Sequence, residues 1–164
     1  MVSDAVTVVL PERVLRVLKE RSESEGKTID EIIGDALLEQ FNVSDPEARV
    51  ELHLKLSEKY LKEAEAFLDK ADYVQASEKA WGAAAQMLKA VAYARERRRL
   101  TSHRELWEYA SRVSREFGEP ELMRLWRTAI SLHVNFYESW APAEDVEQAI
   151  GDVHELIKRL RGLI

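Results

Sequence analysis

The sequence predicts an all-α fold, an antiparallel bundle of about five helices with a small strand-helix-helix element in front of it. Three observations carry that expectation. Six glycines and four prolines in 164 residues are too few for a many-stranded, turn-rich chain. From about Pro46 to Leu160 the apolar residues recur at helical spacing. A β-branched run occurs only once, at Ala5-Val6-Thr7-Val8-Val9-Leu10-Pro11. The length suits one ordinary domain, or one domain and a small appendage.

The β-branched run reads as a short strand ended by Pro11, which suits the first turn of a helix. A helix through Val14, Leu15 and Leu18 follows and stops near Gly26, a residue fitted to a left-handed C-cap. Thr28 and Glu31 form a capping box, and the helix they open carries Ile29, Ile32, Ile33, Ala36 and Leu37 on one face. Asn42 to Pro46 is the linker, so the chain divides into residues 1–44 and 45–164. Asp45-Pro46, or Ser44 with Glu47, starts the next helix.

Five helical stretches and no strand lie beyond the linker. The first, about Pro46 to Lys70, sets Leu54, Leu61 and Leu68 seven apart, with Tyr60 and Phe67 beside them. An alanine-rich second runs from about Tyr73 to Arg98. Ser102 with Glu105 caps the third, whose stripe is Leu106, Ala110, Val113 and Phe117. Pro120 opens the fourth, with Leu122, Trp126, Ala129, His133, Phe136 and Trp140 in register. Pro142 opens the last, through Val146, Ile150, Val153, Ile157 and Leu160. Short loops make neighbours antiparallel.

Composition excludes several chemistries. The absence of cysteine removes disulfides, thiolate metal sites and cysteine nucleophiles. A net charge of −6 and a pI near 5.4 argue against capture of nucleic acid by a generally basic surface. No apolar run approaches the ~20 residues of a membrane span, and Met1 to Leu10 is too short for a signal peptide. The expectation is a cytoplasmic protein with no membrane contact. There is no zinc-type histidine spacing, Gly-rich phosphate loop or Gly-x-Ser-x-Gly elbow, so no metal and no cofactor is expected.

The strand, the Leu10-Pro11 step and Gly26-Lys27-Thr28-Ile29-Asp30-Glu31 resemble the ribbon-helix-helix family over roughly Val6 to Phe41. That resemblance implies an obligate dimer whose two strands pair into a ribbon. One lone strand and two short helices cannot bury enough surface alone. With Val6, Val8 and Leu10 facing inward, the outward residues are Ala5, Thr7 and Val9, none of which makes bidentate base contacts. Residues 1–44 also carry nine acidic against five basic side chains. Dimerisation is therefore favoured over DNA recognition, with a DNA-binding, antitoxin-like regulator as an alternative that would need a partner protein.

Two motifs mark the body of the chain. Ala76-Ser77-Glu78-Lys79-Ala80-Trp81-Gly82-Ala83-Ala84-Ala85-Gln86 combines small residues for close helix packing with Trp81 as a core anchor. A polar pocket using Glu78, Lys79 and Gln86 is the functional alternative. Leu132-His133-Val134-Asn135-Phe136-Tyr137-Glu138 is the second motif. With the Ser102-His103 turn, these runs resemble the archaeal PaREP family, first class, within the larger HEPN superfamily, over roughly Glu47 to Leu160. The resemblance implies a HEPN-like bundle of four to five helices.

HEPN ribonucleases share an Arg followed after four to six residues by His, and Arg127 with His133 fits that pattern. The resemblance then implies a metal-independent endoribonuclease, His133 working on the ribose 2′-hydroxyl or leaving oxygen and Arg127 holding the phosphate. Six helical positions carry about 600° of rotation, so the two side chains emerge roughly 120° apart. Arg127 must wrap around its helix or meet His133 across a dimer cleft. A structural or ligand-binding His133 is the other reading, since it shares the Trp126–Phe136 stripe.

Asn135, Tyr137 and Glu138 are further ligand candidates, Asn135 and Glu138 because they lie off that stripe. His103 sits at a helix start, where a neutral imidazole is preferred over a cation. His53 and His154, on charged helices, are expected to be solvated. Arg95, Arg97, Arg98, Arg99 and Arg104 against Glu96 give +4 over residues 95–104, either a solvated helix end or a phosphate-binding surface. The favoured function is a homo-oligomeric module, dimer or tetramer, that binds RNA or nucleotides without strong sequence specificity.

Overall fold

A computed structural model describes residues 5–42 and 45–164. Among these residues there are seven helices and no strand: α1 (Glu12–Glu25), α2 (Ile29–Gln40), α3 (Pro46–Asp69), α4 (Tyr73–Glu96), α5 (His103–Glu116), α6 (Pro120–Glu138) and α7 (Ala143–Arg161). The expected punctuation is in place. Gly26 closes α1 at φ +63°, the Thr28 side chain accepts from the Glu31 amide, and Asp45 and Ser102 cap α3 and α5. Ser44, the other expected cap of α3, lies outside the described residues.

Cross-helix pairs fix the directions. His53 meets Gln86, Ser57 meets the Ala83 carbonyl and Glu63 meets Lys79, a falling register that only an antiparallel α3–α4 pair produces. Glu78 to His133 and Ser77 to Asn135 set α6 antiparallel to α4. Arg124 to Asp152 and Glu119 to Arg159 do the same for α6 and α7. α4 is the central helix, packed by α3, α5, α6 and α7. Its small residues allow the approach, Gly82 above all: a Cβ there would lie 3.2 Å from the Tyr60 ring. Trp126, Tyr109, Leu88, Leu125 and Leu156 fill the core.

Several expectations need correction. Residues 5–10 have no regular structure within the chain, because a strand needs a hydrogen-bonding partner and no other strand is present among the described residues. Glu31 does not turn back to close a capping box; it is buried against α4. His53 is not solvated but 5% exposed, its Nδ1 2.7 Å from Gln86 Oε1. Trp140 lies beyond the end of α6 and is exposed, as is Phe117 at the end of α5.

Candidate functional site

The α1–α2 turn, Ser22 to Thr28, faces α4, the start of α5 and the last turns of α6, and a cavity of about 570 Å³ lies between them. Trp81, Glu78, Lys79 and Gln86 come from α4, His103 from α5, and His133 and Tyr137 from α6. The helical spacing of Glu78, Trp81, Ala85 and Lys89 turns one face of α4 toward this space, as residues three and four apart must.

Three rings meet at its centre. Trp81 lies 5.2 Å from His133 and 5.8 Å from His103, and the two imidazoles are 4.9 Å apart, with interplanar angles of 30–35°. Tyr137 meets His133 edge-on at 5.3 Å. Glu78 Oε2 is 2.9 Å from His133 Nδ1, which holds the ring orientation and leaves Nε2 available. Partial burial, with the neighbouring His133 second, keeps the His103 ring below the usual imidazole range.

A buried polar network forms the inner wall. Gln86 Nε2 donates to Glu31 Oε2 at 2.8 Å, and Lys89 Nζ lies 2.9 Å from both Glu31 oxygens. The other side of Gln86 meets His53, whose pKa is lowered chiefly by burial. Asp35, also buried, pairs with Arg49, Lys27 and Arg99. The Tyr60 hydroxyl lies 2.6 Å from Thr28 Oγ1 and 3.1 Å from Asp30 Oδ2, and burial raises its pKa. Charge pairs of this kind tie α2 to α3 and α4.

Glu78, Lys79, Gln86, His103, His133 and Tyr137 thus line one cavity. Other candidates do not. Arg127 is exposed and lines no part of the cavity, and its side chain has no hydrogen bond or ion pair among the described residues. Glu138 is likewise exposed and outside the cavity. Asn135 is buried: its Nδ2 donates to Ser77 Oγ, and its Oδ1 accepts from the amides of Trp140 and Ala141. It holds the turn that follows α6 and lines not this cavity but a separate, more open one beside Asp72, Tyr73 and Ser139.

The arginine run is largely spent within the chain. Arg97 Nη1 donates to the Tyr93 and Ala94 carbonyls. Arg98 lies over the Tyr109 ring at 5.9 Å, and Arg99 pairs with Asp35 at 2.7 Å. Sequence reasoning missed Glu31, Lys89, His53 and the α1–α2 turn as parts of one site. Glu31 had a complete local explanation as a cap, and nothing along the chain signals a partner 58 residues away.

Fold and site define an all-α bundle with a polar, aromatic-lined cavity closed on one side by an N-terminal helix pair. The chain belongs to the archaeal PaREP1/PaREP8 family, whose sequence profile matches residues 52–157. No curated protein matches it. A crystal structure of a protein from Sulfolobus solfataricus is similar, at 27% identity and a TM-score of 0.55, covering 66% of this chain and 95% of that one. No helix of the described residues is long and apolar enough to cross a membrane.

Proposed function

We propose that the chain is a homo-oligomeric binding module of the HEPN type that takes RNA or a nucleotide in the cavity. One observation carries the reading: Glu78, Lys79, Gln86, His103, His133 and Tyr137 converge beside Trp81 on a space of about 570 Å³. That volume suits a nucleotide-sized ligand, and apolar rings with a few convergent polar groups are the usual make-up of such sites. Titration of the purified chain with short RNA and with mononucleotides, followed by tryptophan fluorescence, tests it. Binding should weaken about 10-fold or more in His103→Ala, a loss of roughly 1.4 kcal/mol. Absence of binding to every RNA and nucleotide would refute the reading.

Self-association is supported by what the N-terminal residues leave uncovered. Val6, Val8 and Val9 are exposed, and α1 buries none of its residues although Val14, Leu15 and Val17 are apolar. A ribbon-helix-helix pairing with a second copy would cover Val6, Val8 and the apolar side chains of α1, with Val9 on the outward face. Val8→Asp would place an unpaired charge in that interface, so mass by light scattering should fall while helicity of the bundle is kept.

A metal-independent endoribonuclease is the second reading, favoured by the Glu78–His133 contact. A carboxylate at Nδ1 prepares the opposite ring nitrogen to take or give a proton. In that mechanism Arg127 would hold the phosphate from a second copy. RNA cleavage in the presence of a chelator, reduced about 100- to 10,000-fold in His133→Ala, is the expected signature; wild-type protein that leaves RNA intact rules it out.

A further inference from the structure

The cationic groups facing the cavity are already committed. Lys89 Nζ lies 2.9 Å from Glu31, Lys79 Nζ 2.7 Å from Glu63 Oε2, and Lys27 Nζ 3.8 and 3.7 Å from Glu25 and Asp35. Among the described residues, five carboxylates against three lysines line the walls, and no arginine does. The N-terminus of α5, the natural seat for an anion, is occupied from within: Glu105 Oε2 accepts from the Thr101 amide at 2.6 Å, and Ser102 caps the Glu105 amide. A phosphate group placed here would lose its hydration and meet net repulsion.

Acceptors and ring faces are what remain free. Glu78 uses Oε2 toward His133, while Oε1 has no hydrogen bond among the described residues, and the side chain is about a third exposed. A carboxylate offers about four lone-pair sites, so even Oε2 can accept a second donor. Beside it stand the three rings already described, with His103 and Tyr137 exposed on the open side. A flat molecule with N–H donors along one edge satisfies both features at once.

We propose that the cavity recognises a nucleobase rather than a phosphate, and a base of the guanine type. Guanine presents two adjacent N–H donors, on its ring nitrogen and its exocyclic amine, which a carboxylate accepts together. Adenine and cytosine pair a donor with an acceptor on that edge, and uracil offers one donor flanked by carbonyls. Glu78 accepts the paired donors, the base stacks against His103 or Tyr137, and sugar and phosphate extend outward to solvent. This inference rests on the nucleotide-binding reading above and names the part of the ligand that is held.

Calorimetric titration of the full-length chain with guanosine, adenosine, GMP and GTP tests it. Guanosine should bind at least about 10-fold more tightly than adenosine, from hydrogen bonds to a charged acceptor. Affinity should not rise from guanosine to GMP to GTP, and the salt dependence should be shallow. Glu78→Gln should weaken guanosine binding about 10-fold or more, with circular dichroism confirming that it is folded. Tyr137→Ala, at a side chain too exposed to hold the fold, should weaken it several-fold through lost stacking. Affinity that climbs with each phosphate, or guanosine binding unchanged in Glu78→Gln, overturns the inference. RNA binding that persists without any guanosine binding overturns this inference alone; loss of both defeats the nucleotide-binding reading as well.

Discussion

α1 and α4 are both regular helices, yet α1 has no buried residue while fourteen of the 24 residues of α4 are buried. Local signals suffice to form either one. Only α4 has neighbours on every side, and its small side chains let those neighbours come close. α2 stands between the two extremes: it buries Ile32, Glu31 and Asp35, and the last two are charged. The bundle is therefore held chiefly by apolar packing, and the N-terminal helices are attached to it chiefly by buried ion pairs. The two halves should respond differently to mutation and to pH.

The largest expected effect is in the bundle core. Trp126 is fully buried against Trp81, 5.3 Å away, so Trp126→Ala should cost about 3–5 kcal/mol. The unpartnered buried Trp126 Nε1 leaves with the ring, which places the loss toward the lower end. Val14→Ala in α1 should change the stability of the bundle by less than about 0.5 kcal/mol. Urea denaturation of both variants measures the contrast, and similar midpoints would erase it.

Next comes the ion pair between the halves. Glu31→Ala strands the Lys89 ammonium, whose side chain is 7% exposed, at a cost of about 3 kcal/mol. Adding Lys89→Met should restore most of that loss, because the penalty lies in the unpaired charge rather than in the missing pair. A double variant no more stable than Glu31→Ala would mean that the pair itself supplies the attachment.

The smallest effect is a pH dependence. Burial holds His53 below its ordinary value of 6.5, with Gln86, Glu31, Lys89 and Asp35 around it. His103 is shifted in the same direction. Below 6.5 the unfolded chain binds more protons than the folded one, so stability is fully present above that value. It is lost as the pH falls toward the folded-state pKa. Melting temperature should decline between about pH 7.5 and 5.5, and His53→Gln should flatten part of that decline. Parallel slopes for the two proteins would show that the α2–α3–α4 junction does not titrate there.

Much of the fold was legible along the chain because its signals are local. Asp45-Pro46, Ser102-x-x-Glu105, Pro120 and Gly26 act within one turn of the backbone, and each marks an observed helix boundary. Part of the candidate site's lining was legible too, since Glu78, Lys79 and Gln86 share one helix and their spacing sets their faces. The rest depended on partners far apart in sequence. Asn135 reads as a ligand group from its position off the apolar stripe, but the turn at Trp140 and Ala141 folds back onto it. His53 reads as solvated because its own helix is charged, and only the arrival of α4 buries it.

The sequence by itself determined the helices, their ends and their order, because hydrogen-bonding period and caps are properties of neighbouring residues. The antiparallel sense expected of short loops fails at α4–α5, where Trp81 meets His103 and Arg95 meets Glu116 in a rising register. Tertiary structure alone decided which polar groups came to line one cavity. His103 and His133 come together only when α5 and α6 pack beside α4, and the α1–α2 turn becomes a wall only when Glu31 reaches Lys89. Burial and Coulomb attraction act through space, so a residue's chemistry is set by side chains that its own stretch of sequence does not contain.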